Sequence, residues 1–281
     1  MRLFVFGLGY SAQVLARRLL AAGWTVSGTG SAGDVDFADR DAVRAALAGA
    51  SHVLSSVPPA RDGGDPVLDA YGADIARCGA EWIGYLSSTG VYGDARGAWV
   101  DESAPTGTGR RIARAEADAA WQALDSRVNV FRLPGIYGPG RNVFDRIAAG
   151  RAHRIDLPGQ VFSRIHVDDI AGGVIASFGG PAGVYNLSDD LPASQNALVE
   201  EACRLSGQPL PPLQSLDEAG LSPMARGFYA ENRRVANGRA KRLLGWRLRY
   251  PDYFAGLRAL SASTSPTSAS AAPDAAIGVQ R

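Results

Sequence analysis

The sequence predicts an α/β fold, a doubly wound parallel sheet followed by a small C-terminal α+β lobe, and three observations carry that prediction. Short runs rich in strand formers alternate with stretches of helical periodicity through the first half of the chain. The first run passes through a glycine turn into a helix pattern within a dozen residues. Beyond Gly135 the alternation loosens, Pro, Gly and Arg become frequent, and Pro209-Leu210-Pro211-Pro212 interrupts any simple repeat.

Arg2-Leu3-Phe4-Val5-Phe6 reads as the first strand and Gly7-Leu8-Gly9-Tyr10-Ser11-Ala12 as the turn. Val14, Leu15, Leu19 and Leu20 then recur at helical spacing until Gly23, a natural stop. Trp24 to Ser27 is the second strand, Val43 to Leu47 lies in an Ala-rich helix, and His52 to Val57 is again a strand. Trp82 to Ser87 and Val128 to Arg132 are buried strands separated by a helix from Arg110 to Leu124. A helix from Asp168, opened by an Asp pair, and a strand at Val184 to Leu187 are expected to return to the main sheet. The expected division is therefore a first domain over 1–135 with 161–190 returning to it, and a lobe over 136–160 and 191–260. From Ser261 onward Ser, Ala, Thr and Pro dominate, which predicts a disordered tail over 261–281.

With 281 residues, 46% hydrophobic and 20% charged, the chain has the apolar content of a folded domain, which excludes disorder, collagen and coiled coil. Twenty-nine Lys plus Arg against 28 Asp plus Glu leave a formal charge of +1, so no global field draws in nucleic acid or an anionic membrane. Any bound anion must be held locally. Two cysteines and three histidines supply neither a disulfide framework nor a zinc ligand set, so no metal is expected and a reduced, cytoplasmic setting is. A strand directly after Met1 leaves no room for a signal peptide, and no apolar run reaches the roughly 18 to 20 residues of a membrane span.

The turn carries the first chemistry. In Gly7-Leu8-Gly9-Tyr10-Ser11-Ala12 the first Gly permits a tight bend and the second lets backbone amides approach a pyrophosphate. Ala12 is small enough for close helix–strand packing, and the helix start, at Tyr10 and Ser11, presents its positive end. Placed between a strand and a helix, this is the Rossmann context for a dinucleotide; its plainer reading is an ordinary turn. About 20 residues on, Ser27-Gly28-Thr29-Gly30-Ser31 offers hydroxyls and amides but no acid, which slightly favours NADP over NAD; the plainer reading is that these small residues only make a loop. Asp36 and Phe37, expected near a strand end, are candidates for contacting the adenine, or else a solvated loop.

Leu86-Ser87-Ser88-Thr89-Gly90-Val91-Tyr92-Gly93, Arg132-Leu133-Pro134-Gly135-Ile136-Tyr137-Gly138-Pro139-Gly140-Arg141 and Arg164-Ile165-His166-Val167-Asp168-Asp169 resemble, in order and spacing, signatures of the extended short-chain dehydrogenases/reductases. Val184-Tyr185-Asn186-Leu187 and Leu243-Leu244-Gly245-Trp246 resemble those of its NAD(P)-dependent epimerase/dehydratase branch. The opening departs from the branch's usual GxxGxxG, since Phe6 stands where its first Gly falls.

The resemblance implies a Rossmann domain binding NAD(P), with Pro134 among the cofactor contacts, and a lobe closing over a small carbonyl or sugar-nucleotide-like substrate. It also implies that Ser88 hydrogen-bonds the substrate oxygen, and it admits a homodimer. A Tyr with a Lys four residues later normally performs the acid/base step, and this chain lacks the pair. Arg110 falls on the Tyr position and Arg114 on the Lys position, expected on one helix face. Arg114 can place a charge at the ribose; Arg110 stays protonated and can orient or stabilise an oxyanion but cannot shuttle a proton.

Tyr137 is a candidate acid/base or a structural part of its loop, and Tyr92 a weaker one. His166 reads as a structural histidine beside a cap at Asp168. Arg141 is a candidate for gripping a phosphate or carboxylate, or a surface charge. The function that results is an oxidoreductase or epimerase-like enzyme working by hydride transfer, the alternative being a catalytically inactive NADP-binding sensor.

Overall fold

A computed structural model of the chain describes residues 1–264. The chain opens as β1 (Arg2–Phe6), α1 (Tyr10–Ala21), β2 (Thr25–Gly28), α2 (Arg40–Ala48), β3 (His52–Ser55), α3 (Pro66–Arg77) and β4 (Trp82–Ser88). A short β5 (Trp99–Val100) precedes α4 (Ile112–Leu124) and β6 (Val128–Leu133). The elements then shorten: β7 (Gly135–Tyr137), α5 (Val143–Ala148), β8 (Arg154–Ile155), β9 (Arg164–His166) and α6 (Val167–Ala176). Last come β10 (Gly183–Asn186), α7 (Gln195–Ser206), β11 (Leu213–Gln214), α8 (Pro223–Phe228), β12 (Arg234–Val235), α9 (Gly238–Leu244) and α10 (Tyr253–Thr264).

Six strands form one sheet in the order β10-β6-β4-β3-β1-β2, and every pairing is parallel. The chain runs outward from β1 to β2 and then returns to the other side of β1 with β3. That reversal is a topological switch point, and ligands of such sheets bind outside the carboxyl ends of the strands there. Both faces of the sheet are covered, which is why its strands are apolar without alternation. Leu3 and Val5 pack with Val14, Leu15 and Leu19 of α1 and with Ile170 and Val174 of α6. Phe4 and Phe6 face the opposite way, onto Val43, Leu47, Tyr71, Ile75 and Trp121.

One carboxylate fixes two helices on that second face. Asp65 accepts the Val67 and Leu68 amides at 3.0 Å each, capping α3, whose first residue is Pro66. Its other oxygen accepts the Trp121 indole N–H of α4 at 2.9 Å. A smaller core of Val143, Leu198, Val199, Ala202, Tyr253 and Leu257 joins α5, α7 and α10. β10 extends the main sheet beside β6 and α6 packs on α1, whereas β9 pairs with β7 in a separate two-stranded sheet.

Several boundaries differ from the sequence expectation. The helix expected from Arg110 begins at Ile112, so Arg110 lies before the Arg111 N-cap and the two arginines do not share a helix face. The cap of α6 is His166, whose Nδ1 accepts the Asp168 amide at 3.2 Å, and not Asp168. Burial pushes His166 down to about 4, which keeps the ring neutral and able to accept. Asp36 and Phe37 lie in the β2–α2 connection and not at a strand end. α10 continues through Thr264, past the Ser261 start expected for the tail; the rest of that expected tail, 265–281, lies outside the described residues. Among the described residues no helix is long and apolar enough to cross a membrane.

Candidate functional site

Gly7 leaves β1 with φ +79°, a conformation that side chains resist, and a Cβ there would stand 2.8 Å from Val57 Cγ2. Its N–H donates to Thr29 Oγ1 at 3.1 Å and the Leu8 N–H to the Thr29 carbonyl at 2.7 Å, so the end of β2 braces the turn. The Ser56 hydroxyl donates to the Gly7 carbonyl from the end of β3. α1 then starts with no side-chain cap and no acid in its first turn. The amides of Tyr10, Ser11 and Ala12 precede the first intrahelical bond, from Gln13 N to the Gly9 carbonyl. This backbone cradle fits a diphosphate: it has free donors, a positive helix end and no side chain filling it.

Arg141 reaches the same place from the other side of the cleft. The Tyr10 hydroxyl donates to the Pro139 carbonyl at 3.0 Å, and the Arg141 guanidinium lies 5.9 Å from the centre of the Tyr10 ring. From Gly9, Tyr10 and Ser11 a cleft of about 1040 Å³ runs past Ser88, Pro134 and Phe162 to Tyr229 and Glu231 in the C-terminal part of the chain. Ser88 is half-buried and its Oγ accepts the Gly90 amide at 3.1 Å, which leaves its proton to donate outward. Ser87 is turned away and donates to Asp118 at 2.6 Å.

Arg110 and Arg114, which the resemblance aligns with the Tyr and Lys positions, go separate ways. Arg114 lines the cleft and sets its charge beside the buried Tyr85 hydroxyl. Arg110 bends to the C-terminal lobe: its N–H donates to Glu231 Oε1 at 2.9 Å and its Nε stands 3.5 Å from that oxygen. Arg111 lies over the Phe228 ring at 5.6 Å. Burial, then the Arg114 and Arg110 charges, push the Arg111 guanidinium below its usual range. Burial works against the Glu231 charge as well, yet the Arg110 amide and the Arg233 guanidinium outweigh it and hold that carboxyl low.

Tyr137 borders the cleft, but its hydroxyl is withdrawn from it. It is buried, its hydroxyl meets no hydrogen-bond partner, and a side chain at Gly256 of α10 would collide with that hydroxyl. Burial and the nearby Asp189 and Asp169 raise it far above an ordinary phenol. Tyr92 is committed to structure, donating to Asn186 at 2.7 Å and accepting from Arg132 at 3.1 Å. Arg132 is in turn paired with Asp118 at 2.8 Å in the interior. Asp36 caps its own loop through the Ala38 amide, and the Phe37 carbonyl is taken by the Tyr71 hydroxyl. Neither lines the cleft.

Sequence reading overlooked two groups. Asp34, just past the stretch searched for a ribose acid, folds back so that its Oδ1 accepts the Gly28 amide at 2.8 Å at the end of β2. Glu231 carries no local motif, and its role emerges only when the chain brings it to Arg110 from 121 residues away.

No family model matches the chain. A solved structure of a functionally unknown conserved protein from Silicibacter pomeroyi is 46% identical, with a TM-score of 0.83 over 93% of this chain and 98% of that one. The human epimerase family protein SDR39U1, isoform 2, solved with NADPH, is 17% identical with a TM-score of 0.76 over 93% of this chain and 99% of that one. A 3-diazoavenalumate denitrifying reductase from Streptomyces sp. is 29% identical over 171 residues, 57% of this chain and 55% of that protein. The chain belongs to one sequence family with the Silicibacter pomeroyi protein, and its fold is that of the atypical, epimerase/dehydratase-like short-chain dehydrogenases/reductases.

Proposed function

We propose that the chain is a nicotinamide-dinucleotide-dependent reductase of a small, polarised acceptor such as a carbonyl. The observation that carries this reading is the continuity of one cleft from the bare α1 cradle to a Ser88 hydroxyl with a free proton. Gly7, Gly9 and the amides of Tyr10 and Ser11 would hold the diphosphate, Arg114 would steady the ribose beside the nicotinamide, and Pro134 would border it. A bound reduced nicotinamide supplies a hydride. Ser88 donates its proton as a hydrogen bond to the acceptor oxygen, polarising it and stabilising the charge that builds there. The product oxygen takes its proton from water.

Reduction suits these side chains better than epimerisation. An epimerase must also remove a proton from an alcohol, and Tyr137, the sequence candidate for that base, is sealed against α10. The reductase activity in the name of the Streptomyces relative supports the same choice. Asp34 weighs toward a free ribose diol and the hydroxyls of Ser27 to Ser31 toward a 2′-phosphate, so both NADH and NADPH are the reductants to supply. Oxidation of either, followed at 340 nm against a panel of carbonyl compounds, tests the proposal. Tight dinucleotide binding without turnover on any acceptor would instead favour a sensor module.

A further inference from the structure

The cleft carries more positive charge than its acids answer. Eight arginines line it against two carboxylates, Asp145 and Glu231. Glu231 is taken by Arg110 and Arg233, and the Asp145 carboxylate accepts from the Asn142 amide at 2.8 Å. Arg164 spends its guanidinium on the carbonyls of Phe162, Ala193 and Ser194. Arg141 serves the cradle, and Arg111 lies on Phe228. Arg114 stands beside the Tyr85 hydroxyl, which leaves Arg146 and Arg151 with neither an ion-pair partner nor another side-chain contact of this kind among the described residues.

These two leave the same turn. The Arg151 N–H donates to the Arg146 carbonyl at 2.8 Å, closing the chain after α5, and both side chains border the cleft on the lobe side. The Arg146 charge acts on the Tyr229 hydroxyl, another cleft residue. The last turn of α5 accounts for one cation through the helix dipole. It does not account for a second cation on that turn, where like charges repel. An anion between them removes the repulsion and gains charge-assisted hydrogen bonds from both.

We propose that Arg146 and Arg151 are the binding site for an anionic group of the substrate, a carboxylate or a phosphate monoester, with the reducible group at Ser88. The assignment rests on the reductase reading for the position of the reacting end. Uncharged acceptors are then poor substrates, and the C-terminal lobe selects by charge and not by shape alone.

The test is calorimetric titration of the dinucleotide-loaded protein with glycerol phosphate, tricarballylate and, as the uncharged control, glycerol. The expected result is binding of glycerol phosphate or tricarballylate but not glycerol, with the stronger of the two naming the anion class. In Arg146→Gln/Arg151→Gln that affinity falls about 10-fold or more, from the loss of charge-assisted bonds. In Arg146→Lys/Arg151→Lys part of it returns. Dinucleotide affinity, unchanged in both variants, shows that the rest of the cleft is intact. Equal anion affinity in the Gln variant overturns the proposal, as does the absence of anion binding in a protein that binds dinucleotide normally. Should the wild type bind no dinucleotide, the reductase reading falls, and the same titrations on the unloaded protein still decide the arginine site.

Discussion

Arg110, just before α4, meets Glu231, just before β12, at a single carboxylate oxygen, which receives both the Arg110 backbone N–H and the approach of its Nε. The loss of such a charge-assisted bond costs about 1.5–3 kcal/mol. Glu231→Ala should therefore raise the acceptor KM about 10-fold or more while leaving dinucleotide affinity as it was. Steady-state kinetics with dinucleotide titration measures both, and an unchanged KM would show that Arg110 does not set the position of the lobe.

The proposed role of Ser88 is on the acceptor and not on the cofactor cradle. Ser88→Ala removes one donor aimed at the developing oxyanion, so kcat should fall about 10²–10³-fold. Equilibrium binding of NADH and NADPH should be unaffected. A fall in binding with kcat preserved would assign the serine to the cofactor.

Gly7→Ala tests the cradle. The added methyl meets Val57 and forces φ +79° on a residue that avoids it, a strain of about 1–3 kcal/mol. Loss of dinucleotide binding together with a lowered unfolding temperature is the expected outcome. Full affinity in this variant would place the nucleotide elsewhere.

The pH dependence of stability should trace to the interior. Asp189 is 1% exposed, neither of its oxygens meets a donor at hydrogen-bonding geometry, and burial pushes its carboxyl up to about 8. The unfolded value is about 3.9, so the folded chain keeps a proton that the unfolded chain releases. That contribution is fully present below about pH 4 and is lost as pH rises through 8. Asp169, pushed up to about 6 by burial, acts in the same direction over a shorter span. His166 acts oppositely, its contribution present above about 6.5 and lost as pH falls through 4. The unfolding temperature should thus decline between about pH 6.5 and 8 and level off above it, and Asp189→Asn should flatten the decline. An identical slope in the variant would acquit Asp189.

The sheet and the glycine turn are legible because each depends on neighbours in sequence: alternating apolar runs and a strand–glycine–helix string. Arg110 was misread because helix periodicity does not locate a first turn to within two residues. With Arg111 as the cap, Arg110 is free to turn toward Glu231. The two readings of Tyr137, acid/base or structural, are not separable in the sequence for a different reason. Its position after β6 is local information, but the direction of its hydroxyl is set by Gly256, 119 residues later, where the absence of a side chain opens room for the ring. Asp34 escaped because a folded-back loop, not linear spacing, carries it to β2.

Because Asp65 caps α3 and anchors Trp121 of α4 at once, neither helix can fray or slide without breaking the other's attachment. Deuterium from solvent should accordingly enter these two helices late and together, as one cooperative unit, well after it has reached the short segments around α8. The nucleotide half of the molecule would then serve as a fixed anvil, and whatever breathing admits and releases a ligand belongs to the other half.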